Sequence, residues 1–502
     1  MSDRKGIHGI LSMFGFIGEI DAKKVTTGTK EEAQKEKDKI AALLKTSPEA
    51  LSAFEGAYKK CVLDANDYSF DGSMNSRQMA EKMEHNVPDD LNLIIKRIVD
   101  ELLTQTSFYR YDGRTTETGE CKHLLPDCKM VTNEELKTIP IGLRPELTGN
   151  LMKTSLNPDH KAYPILLELY QDSKENPDPE KRQMAYHLFR QGLDLQDLDP
   201  VMYEMINTNP NSMGHWFPAL VDAAAHQDYF KIPKTTIIKL PLTLLQLTRL
   251  DYGSHTPTTL KIVDEYCYKA FNLDETQTYF IRTGTSSLKY DFRNVKVSGA
   301  KEVHELGEYL LYNHFRGVEM AGPLSRPSIY GMQTTVEWAV REYIEPKEEL
   351  PQIYFGMPLR LELRAFIDAD EKKLLGIAPY WEPSLMKKRF SMDSDFLNPD
   401  KIHDYTVFTA YEDILMKKYA DYKDKIAEKI ESLLPHLNLV GQWSLDVMVN
   451  GTNADGSDDI YLIDMATAQS SALSECVPHG LLKPLEEDWI PHIPDLLPKH
   501  TE

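Results

Sequence analysis

The chain has 502 residues, of which 41% are hydrophobic and 27% charged, and its formal net charge is −21. Because a chain with this excess of acid repels polyanions, nucleic acid is an unlikely partner and an anionic membrane is a poor one. The length predicts roughly three domains of about 150 residues each and an ordinary globular fold.

Cysteine content and the N-terminal segment bear on the compartment. Five cysteines without a regular spacing favour a reducing environment, and we expect a cytoplasmic protein. Cys121, His123 and Cys128 are candidate soft ligands, but no second ligand pair with zinc-site spacing follows, so free thiols on a loop are the simpler interpretation. The apolar segment 7–18 is interrupted by polar residues and glycines, and no run reaches ~18 apolar residues, so we predict neither secretion nor membrane insertion.

Helical periodicity dominates the chain from about residue 29 to residue 230. Thr29 and Glu32 form a capping box ahead of a charged helical run, and residues 88–103 repeat apolar side chains every three or four positions. We predict a mainly helical N-terminal domain, 1–230, that recognises a substrate or partner. The aromatic and histidine-rich segment 214–230 indicates either the lining of a cleft or packing between domains.

Short runs rich in β-branched and aromatic residues begin near Pro233. Their mixed helices and mostly antiparallel connections predict an α+β fold. In chain order we predict strands at 278–283 and 289–297, a helix at 301–317, a strand at 337–346, a hairpin around the turn 368–371, a helix at 422–437, and strands at 442–450 and 459–467.

Two aspartates in the last two strands suggest a metal site. Asp455 and Gly456 form an Asp-Gly turn signal between the two strands. Asp446 lies nine positions before Asp455 and Asp464 nine positions after it, so a simple hairpin places their side chains opposite each other, about 5 Å apart. Apolar flanks make unpaired carboxylates costly there. A hard cation such as Mg²⁺, bound together with substrate phosphates, would remove the repulsion. The alternative is two outward-facing aspartates bonded to lysines.

A hydroxyl-rich loop lies between Arg282 and Lys289. The N–H groups of a tight turn at Gly284, the neighbouring hydroxyl groups and the two cations predict an anion cradle of the kind that phosphates use. The hydroxyl groups belong to Thr283, Thr285, Ser286 and Ser287. Taken alone, the same letters describe an ordinary hairpin turn.

Two further segments suit a nucleotide. The strand 340–344 contains Glu342 and is suited to present backbone groups to an adenine edge. In the strand 361–368, Glu362 and Arg364 share one face, where a carboxylate can accept ribose hydroxyls and a guanidinium can hold phosphate. The alternative is a same-face ion pair worth less than about 1 kcal/mol if exposed.

The ordered set of motifs, FIRTGTSSLK, VREYI, ELRAFID, SLDVMVNG and YLIDMATAQSSAL, resembles the ATP-grasp superfamily over about residues 235–480. In that superfamily two α+β subdomains grip ATP, and Mg²⁺ bridges its phosphates. The resemblance implies ATP and Mg²⁺ as ligands. It also implies a small ATP-lid subdomain in 231–345 and a C-terminal subdomain with the metal site in 346–502.

The resemblance implies a role for each motif residue. Arg282 takes the place of a strand lysine that touches phosphate and the adenine side, and the loop 284–288 takes the place of the flexible lid that Lys289 closes over the β- and γ-phosphates. Glu342, Tyr343 and Ile344 would form the adenine hinge, and Glu362 would bind ribose. Asp446 and Asp464 would hold the metal. Lys289 and Arg364 would act on the transferred phosphoryl group.

The chain departs from the superfamily pattern at three places. Ala466 stands where an asparagine usually supplies a second metal ligand, and Thr467, Gln469 or Ser470 could substitute. Ser444 stands where some members carry an arginine, whose charge Arg364 could replace. The lid has serine and threonine where glycines are usual. The first two departures concern catalysis rather than ATP binding.

The resemblance implies an ATP-dependent ligase that joins a carboxylate to an amine or a similar nucleophile through an acylphosphate and releases ADP and phosphate. Its substrate would be a small carboxylate or a protein. The alternative is an ATP–Mg²⁺-binding assembly factor of the cell-division-cycle 123 type with little turnover. A third interpretation makes the helical half the recognition domain for a macromolecular substrate, with nucleic acid disfavoured by the charge.

Overall fold

The computed structural model describes residues 92–122, 335–390 and 399–483, most of 203–248 and 255–321, and single residues or short stretches of 35–52 and 172–185. Within these residues the fold combines helices with a six-stranded sheet, a five-stranded sheet and a short two-stranded sheet. Nearly all of the strand pairs are antiparallel, which confirms the predicted α+β class.

Thirteen strands are named in chain order: β1 (Ser107–Tyr111), β2 (Thr116–Glu120), β3 (Phe230–Lys231), β4 (Thr235–Lys239), β5 (Thr278–Thr283), β6 (Lys296–Ser298), β7 (Glu337–Glu342), β8 (Gln352–Ile353), β9 (Met357–Pro358), β10 (Leu361–Asp368), β11 (Lys373–Pro379), β12 (Gln442–Thr452) and β13 (Asp458–Thr467). The first sheet has the order β2-β1-β4-β7-β5-β6, and the second has the order β11-β10-β12-β13-β3.

The helices are α1 (Asn92–Thr104), α2 (Met213–Ala224), α3 (Leu242–Leu247), α4 (Pro257–Ala270), α5 (Ala300–His304), α6 (Leu306–Ala321), α7 (Pro383–Arg389) and α8 (Pro399–Leu433). None of those in the described residues is both long and apolar enough to cross a bilayer. The longest, α8, has 35 residues and carries many charged side chains.

Each large sheet has its own hydrophobic core. Helices α1, α4 and α6 cover the first sheet, with buried Leu102, Leu260, Leu310 and Trp338 among the members of that core. Helix α2 and the C-terminal part of α8 cover the second sheet, with buried Trp216, Leu363, Ile430 and Leu445 among the members. Each such side chain contributes about 1.5–3 kcal/mol through burial. The apolar faces therefore hold each sheet against its helices.

The described residues before position 231 join these two cores instead of forming a core of their own. The β1–β2 hairpin extends the first sheet, because β1 pairs with β4, and β3 pairs in parallel with β13. The predicted helical domain therefore differs from the structure at 107–120, where every residue of β2 is exposed and gives no alternating pattern. For 214–230 the packing interpretation holds, because Trp216 and Phe217 are buried in the second core. Thr29 and Glu32 lie outside the described residues.

Most predicted elements in the second half are confirmed, with one wrong assignment. Residues 289–297 are not a strand: a 3₁₀ helix spans Lys289–Asn294, and only Lys296–Ser298 pair as β6. Leu288 has a left-handed backbone, with φ of 47°, which turns the chain before the helix. The hairpins β10–β11 and β12–β13 have the predicted turns. The helix predicted over 422–437 is the C-terminal part of the much longer α8.

Candidate functional site: a cleft between the two sheets

A cleft lies where β5 and β7 of the first sheet face β10, β12 and β13 of the second. Its cavity volume is about 120 Å³, and the cleft is open to solvent on one side. The residues predicted for a nucleotide site that line this cleft are Arg282, Ser287, Lys289, Glu342, Tyr343, Ile344, Glu362, Asp446 and Asp464. Gly284, Thr285, Ser286 and Arg364 are not part of its lining. The fold thus gathers segments that are more than 180 residues apart in sequence, from Arg282 to Asp464.

The two predicted metal carboxylates lie directly opposite each other. In the β12–β13 hairpin Asp446 pairs with Asp464, as the simple hairpin predicts. The register shifts twice along the way, between Val449 and Thr452 and again next to Asp446. A shift by one residue changes which face a side chain points to, so the two irregularities must offset each other for the aspartates to meet.

Both aspartates are paired with arginines, which corrects the expectation that they lack a partner on the chain. Arg364 donates from Nε and Nη2 to the two oxygens of Asp446, each at 2.8 Å. Arg282 Nη1 lies 2.8 Å from Asp464 Oδ1. Burial opposes ionisation of Arg364, but Asp446 raises the pKa of its guanidinium further. Two guanidinium groups therefore neutralise the repulsion that the sequence attributes to a metal alone.

The donor set still fits a divalent cation that is shared with substrate phosphates. Within the described residues, Asp464 Oδ2 accepts no hydrogen bond, while Oδ1 accepts one from Met465 N at 3.0 Å. Among those residues no cluster of three or more carboxylate, histidine or cysteine side chains could hold a metal by itself. Mg²⁺ typically takes one or two carboxylates and completes its shell with phosphate oxygens and water, so Asp446 and Asp464 suffice only together with a ligand.

Lys289 is bound to the predicted ribose carboxylate. Its Nζ lies 2.8 Å from Glu362 Oε2 and stands 3.7 Å from the centre of the Tyr380 ring. Burial opposes the charged form, but Glu362 and Tyr380 raise the pKa of Lys289 above its usual value. Lys289 is therefore a permanently charged group on the wall of the cleft, with a carboxylate as its present partner.

The loop after β5 is a tight, packed turn and does not form the predicted cradle of free amides. Thr283 N donates to Ser286 O at 3.1 Å, and Gly284 N donates to Glu337 O at 2.8 Å. Ser286 N donates to Thr283 Oγ1 at 3.1 Å. Since these amides already have acceptors inside the protein, only Ser287 of this loop faces the cleft.

Glu337 packs against this turn and accepts the Gly284 N–H through its backbone carbonyl. Its carboxylate is almost fully buried, with one oxygen accepting from Gly214 N at 2.8 Å at the start of α2. A Cβ at Gly284 would lie 2.4 Å from Thr335 Oγ1 and 2.8 Å from Glu337 Cβ. Burial raises the pKa of Glu337, against the opposing effects of the Gly214 amide and nearby cations. The turn is therefore a fixed wall of the cleft.

The predicted adenine hinge lies at the rim of the same cleft. Glu342 accepts from Lys234 N at 2.9 Å through its side chain, and Tyr343 N donates to Thr278 O at 3.0 Å. Ile344 O accepts from Arg360 Nη2. The Glu342 carboxylate and the Tyr343 N–H group thus bond to residues next to or within the first sheet. The Ile344 carbonyl bonds to Arg360, directly before β10 of the second sheet.

Two buried arginines of the cleft were missed by the sequence analysis. Arg341 is 5% exposed and Arg360 is 6% exposed, and neither forms a salt bridge within the described residues. Arg341 Nη2 and Arg360 Nε have no hydrogen-bond partner there. Burial, followed by the nearby Arg282, lowers the pKa of Arg341 to about 9, and burial lowers the pKa of Arg360. Arg341 stands within VREYI, but the strand letters do not reveal which face it occupies.

Apolar side chains complete the cleft and also escaped the sequence analysis. They come from both sheets and the segment between them: Phe280, Phe292, Met357, Met448 and Ile463. Phe292 packs edge-on against Tyr343, with ring centres 6.0 Å apart. Thioether and aromatic groups in the lining suit a flat, uncharged ring system. Phe280 and Met448 lie two positions from Arg282 and Asp446, on the same face of their strands, and this shared face is the signal that could have identified them.

Gln469 and Cys121 do not line this cleft. Gln469 Nε2 donates to Lys483 O at 2.9 Å. Cys121 is half-buried, and its two candidate partners, His123 and Cys128, lie outside the described residues.

Comparison of the chain with protein-family models, with curated proteins and with solved structures finds no match.

Proposed function

We propose that the cleft binds ATP with Mg²⁺ and that the chain is an ATP-dependent ligase of the ATP-grasp type. One observation carries this proposal: a hinge strand, a buried carboxylate, a set of cations and two opposed aspartates converge on one cleft between two sheets. A concave site with apolar side chains and convergent polar groups is the usual form of a small-ligand site, and the many charged groups of this cleft suit a charged ligand such as a nucleotide.

The base would lie between the apolar walls at the hinge. Phe292, Tyr343, Met357 and Met448 supply those walls. The ribose would then reach Glu362, which is 6% exposed and already oriented by Lys289. A buried carboxylate that accepts hydroxyl protons holds a sugar in one orientation.

The phosphates would meet the excess of cations. Lys289, Arg282 and Arg364 each have one carboxylate partner, whereas Arg341 and Arg360 have none within the described residues. A triphosphate would neutralise the two unpartnered arginines and draw the other cations away from their carboxylates. Charge-assisted hydrogen bonds to phosphate are strong enough for such an exchange.

The exchange would free Asp446 and Asp464 to hold the metal ion. When bound, Mg²⁺ would neutralise negative charge on the β- and γ-phosphate oxygens. Arg364 stands 4.8 Å from the centre of the Tyr380 ring, which would keep its guanidinium beside the cleft after it releases Asp446.

In the proposed reaction, an oxygen of the substrate carboxylate attacks the γ-phosphorus of ATP, the bond from that phosphorus to the bridging oxygen breaks, and ADP leaves. An amine or similar nucleophile then attacks the acylphosphate carbon, loses a proton and displaces phosphate. Lys289 and Arg364 would stabilise the charge that develops on the transferred phosphoryl group. The carboxylate would come from a small molecule or a protein.

A second candidate function is an ATP–Mg²⁺-binding assembly factor of the cell-division-cycle 123 type with little turnover. The observation that favours it is the bidentate Arg364–Asp446 pair, whose carboxylate is only 4% exposed. If that pair persists when ATP is bound, Asp446 cannot supply a metal ligand freely. Ala466 in place of an asparagine removes another ligand.

The first experiment is Mg²⁺-dependent ATP consumption by the full chain, across a pool of amino acids and small carboxylates, with ADP and AMP resolved. Release of ADP that one component stimulates supports the ligase. Tight ATP binding without ADP supports the assembly factor. Absence of ATP binding contradicts both.

A variant pair tests the assigned cleft. Glu362→Gln should weaken ATP binding about tenfold and should weaken binding of an analogue without ribose hydroxyls less. Glu117→Gln, on exposed β2, is the matched control and should leave both affinities unchanged. Equal losses of ATP and analogue in Glu362→Gln would exclude a ribose role.

A further inference from the structure

We infer that Arg341 and Arg282 form an oxyanion subsite in the cleft that binds a phosphate group without the help of a metal ion. The assignment of that phosphate to a nucleotide rests on the proposed function, but the subsite itself does not. The ligand class is a polyphosphate, either free or as the phosphate chain of a nucleotide.

The two arginines share one face of the first sheet. In the β5–β7 pair Arg282 lies opposite Ala339, and Arg341 is two residues further along β7. Side chains two positions apart in a strand point to the same face, and diagonal neighbours across a pair are within reach of long side chains. Both arginines line the cleft, so one ligand in the cleft can contact both guanidinium groups.

Hydrogen bonds fix the orientation of Arg341. Its Nε donates to Thr235 Oγ1 at 3.1 Å, and its Nη1 donates to Ile463 O on β13. Arg282 Nε is held in the same way by Thr283 O at 3.1 Å. Both side chains are therefore positioned before any ligand arrives, which lowers the entropic cost of binding.

Arg341 Nη2 remains without an acceptor among the described residues. A buried charge with an unused donor is costly, because neither water nor a carboxylate compensates it. The two carboxylates whose charges act on Arg341 are already engaged. Asp464 accepts from Arg282, and Glu342 accepts from Lys234 N. An anion beside Nη2 would satisfy the donor and balance the surplus charge. A phosphate has oxygens for both guanidinium groups at once, which makes it the anion that suits a pair of arginines.

Arg110 provides a matched control on the same sheet. Its Nε also donates to a threonine hydroxyl of β4, that of Thr236, at 3.4 Å. Its Nη1, however, is paired with Glu117 at 3.2 Å, and it does not line the cleft. Arg110 thus shares the threonine contact of Arg341, but its side chain is 28% exposed and paired with a carboxylate.

The experiment measures binding of inorganic tripolyphosphate to the full chain by calorimetry in the presence of a metal chelator. We expect Arg341→Gln to weaken binding about tenfold to a hundredfold, as loss of a charge-assisted hydrogen bond does. Arg341→Lys should give an intermediate loss, and Arg110→Gln should bind as the wild type does. Folded Arg341→Gln protein that binds as the wild type does would overturn the subsite.

The wild-type chain supplies a test that requires no variant. Tripolyphosphate in chelator should raise its melting temperature in a concentration-dependent way. Absence of both the shift and calorimetric binding would overturn the proposal even if Arg341→Gln fails to fold.

Parallel titrations with ATP separate this proposal from the proposed function. If ATP does not bind and tripolyphosphate does, with the loss in Arg341→Gln, the subsite holds and the nucleotide proposal fails. If ATP binds equally to wild type and Arg341→Gln, the nucleotide proposal holds and the subsite fails.

Discussion

Two of the three aspartates on strand β13, Asp459 and Asp464, differ in how completely their charge is matched. Asp459, whose side chain is 2% exposed, accepts from Lys231 Nζ at 2.6 Å and from Lys347 Nζ at 2.8 Å. Asn450 adds a third donor at 3.0 Å. Among the described residues, Asp464, five residues later, forms one salt bridge, to Arg282, and that arginine lies beside Arg341, which has no carboxylate partner there.

The comparison separates a structural charge cluster from a candidate binding site. At Asp459 every oxygen has a donor from the chain itself, so the cluster is complete and needs no ligand. The two lysines at Asp459 also reach water, since their side chains are 48% and 36% exposed. Beside Asp464 the two arginines are buried, and Arg341 Nη2 has no acceptor among the described residues, so an anion is the missing component. A buried charge whose partners are incomplete has a higher free energy than a matched one, and binding of the missing ion lowers it.

A third cluster has the opposite imbalance. Asp264 on α4 accepts from Glu308 N of α6 at 2.8 Å, and the Glu308 side chain is almost fully buried beside it. The helices approach closely there, since a Cβ at Gly307 would lie 2.6 Å from Val263 O. Burial, then the charge of Glu308, raises the pKa of Asp264. Burial therefore favours the protonated form of Asp264, in contrast to the buried cations of the cleft.

The largest effect should come from removing both cleft aspartates. Asp446→Asn combined with Asp464→Asn should abolish the Mg²⁺ enhancement of ATP affinity, a loss of about a hundredfold, because no carboxylate remains to hold the ion. Binding of metal-free ATP should persist, since Arg282 and Arg364 are released. ATP titrations with and without Mg²⁺ measure both affinities, and an unchanged Mg²⁺ enhancement would exclude these aspartates as metal ligands.

Asp459→Asn should show the reverse behaviour. We expect it to lower the free energy of unfolding by about 2 kcal/mol at neutral pH, through loss of charge-assisted hydrogen bonds, and to leave ATP affinity unchanged.

The pH dependence sharpens this expectation. Burial opposes ionisation of Asp459, but the hydrogen bonds from Lys231, Lys347 and Asn450 lower the pKa of its carboxyl group to about 2. A lowered pKa stabilises the fold above the unfolded value of 3.8, and this contribution is lost as the pH falls toward 2. The difference between wild type and Asp459→Asn in urea unfolding should therefore shrink between these pH values; a constant difference would refute the charge contribution.

Gly284→Ala tests whether the loop beside Arg282 is a wall or a moving lid. The added methyl group would overlap Thr335 and Glu337, so we expect a loss of about 1–2 kcal/mol in unfolding free energy and weaker ATP binding.

Gly119→Ala is the matched control, because its Cβ would meet the Phe108 ring at an ordinary 3.6 Å. Equal thermal stability of the two variants would indicate that the turn yields easily and acts as a mobile lid.

The smallest effect should come from Asp264→Asn. Because a raised pKa stabilises the fold below the unfolded value of 3.8 and loses that contribution as the pH rises, the wild type should become less stable toward alkaline pH. Asp264→Asn should flatten this decline by about 1 kcal/mol or less. Thermal unfolding at several pH values measures this decline in both proteins, and identical profiles would exclude a raised pKa of Asp264.

The sequence alone determined the parts that depend on local pattern. The β12–β13 hairpin follows from its Asp-Gly turn and apolar strands, and the opposition of Asp446 to Asp464 follows from counting along them. Strand alternation also predicted the face of β10 on which Glu362 lies, and that side chain lines the cleft. Such features are local in sequence, so periodicity and turn chemistry specify them.

Only the tertiary structure decided how the charges combine. Arg364 with Asp446 and Arg282 with Asp464 join strands that are distant in sequence, and the surplus at Arg341 exists only once the two sheets face each other. The 3₁₀ helix after Leu288 likewise replaces a strand because tertiary packing buries Phe292 and Asn294. Burial and ion pairing depend on which segments meet in space, and a linear pattern does not contain that information.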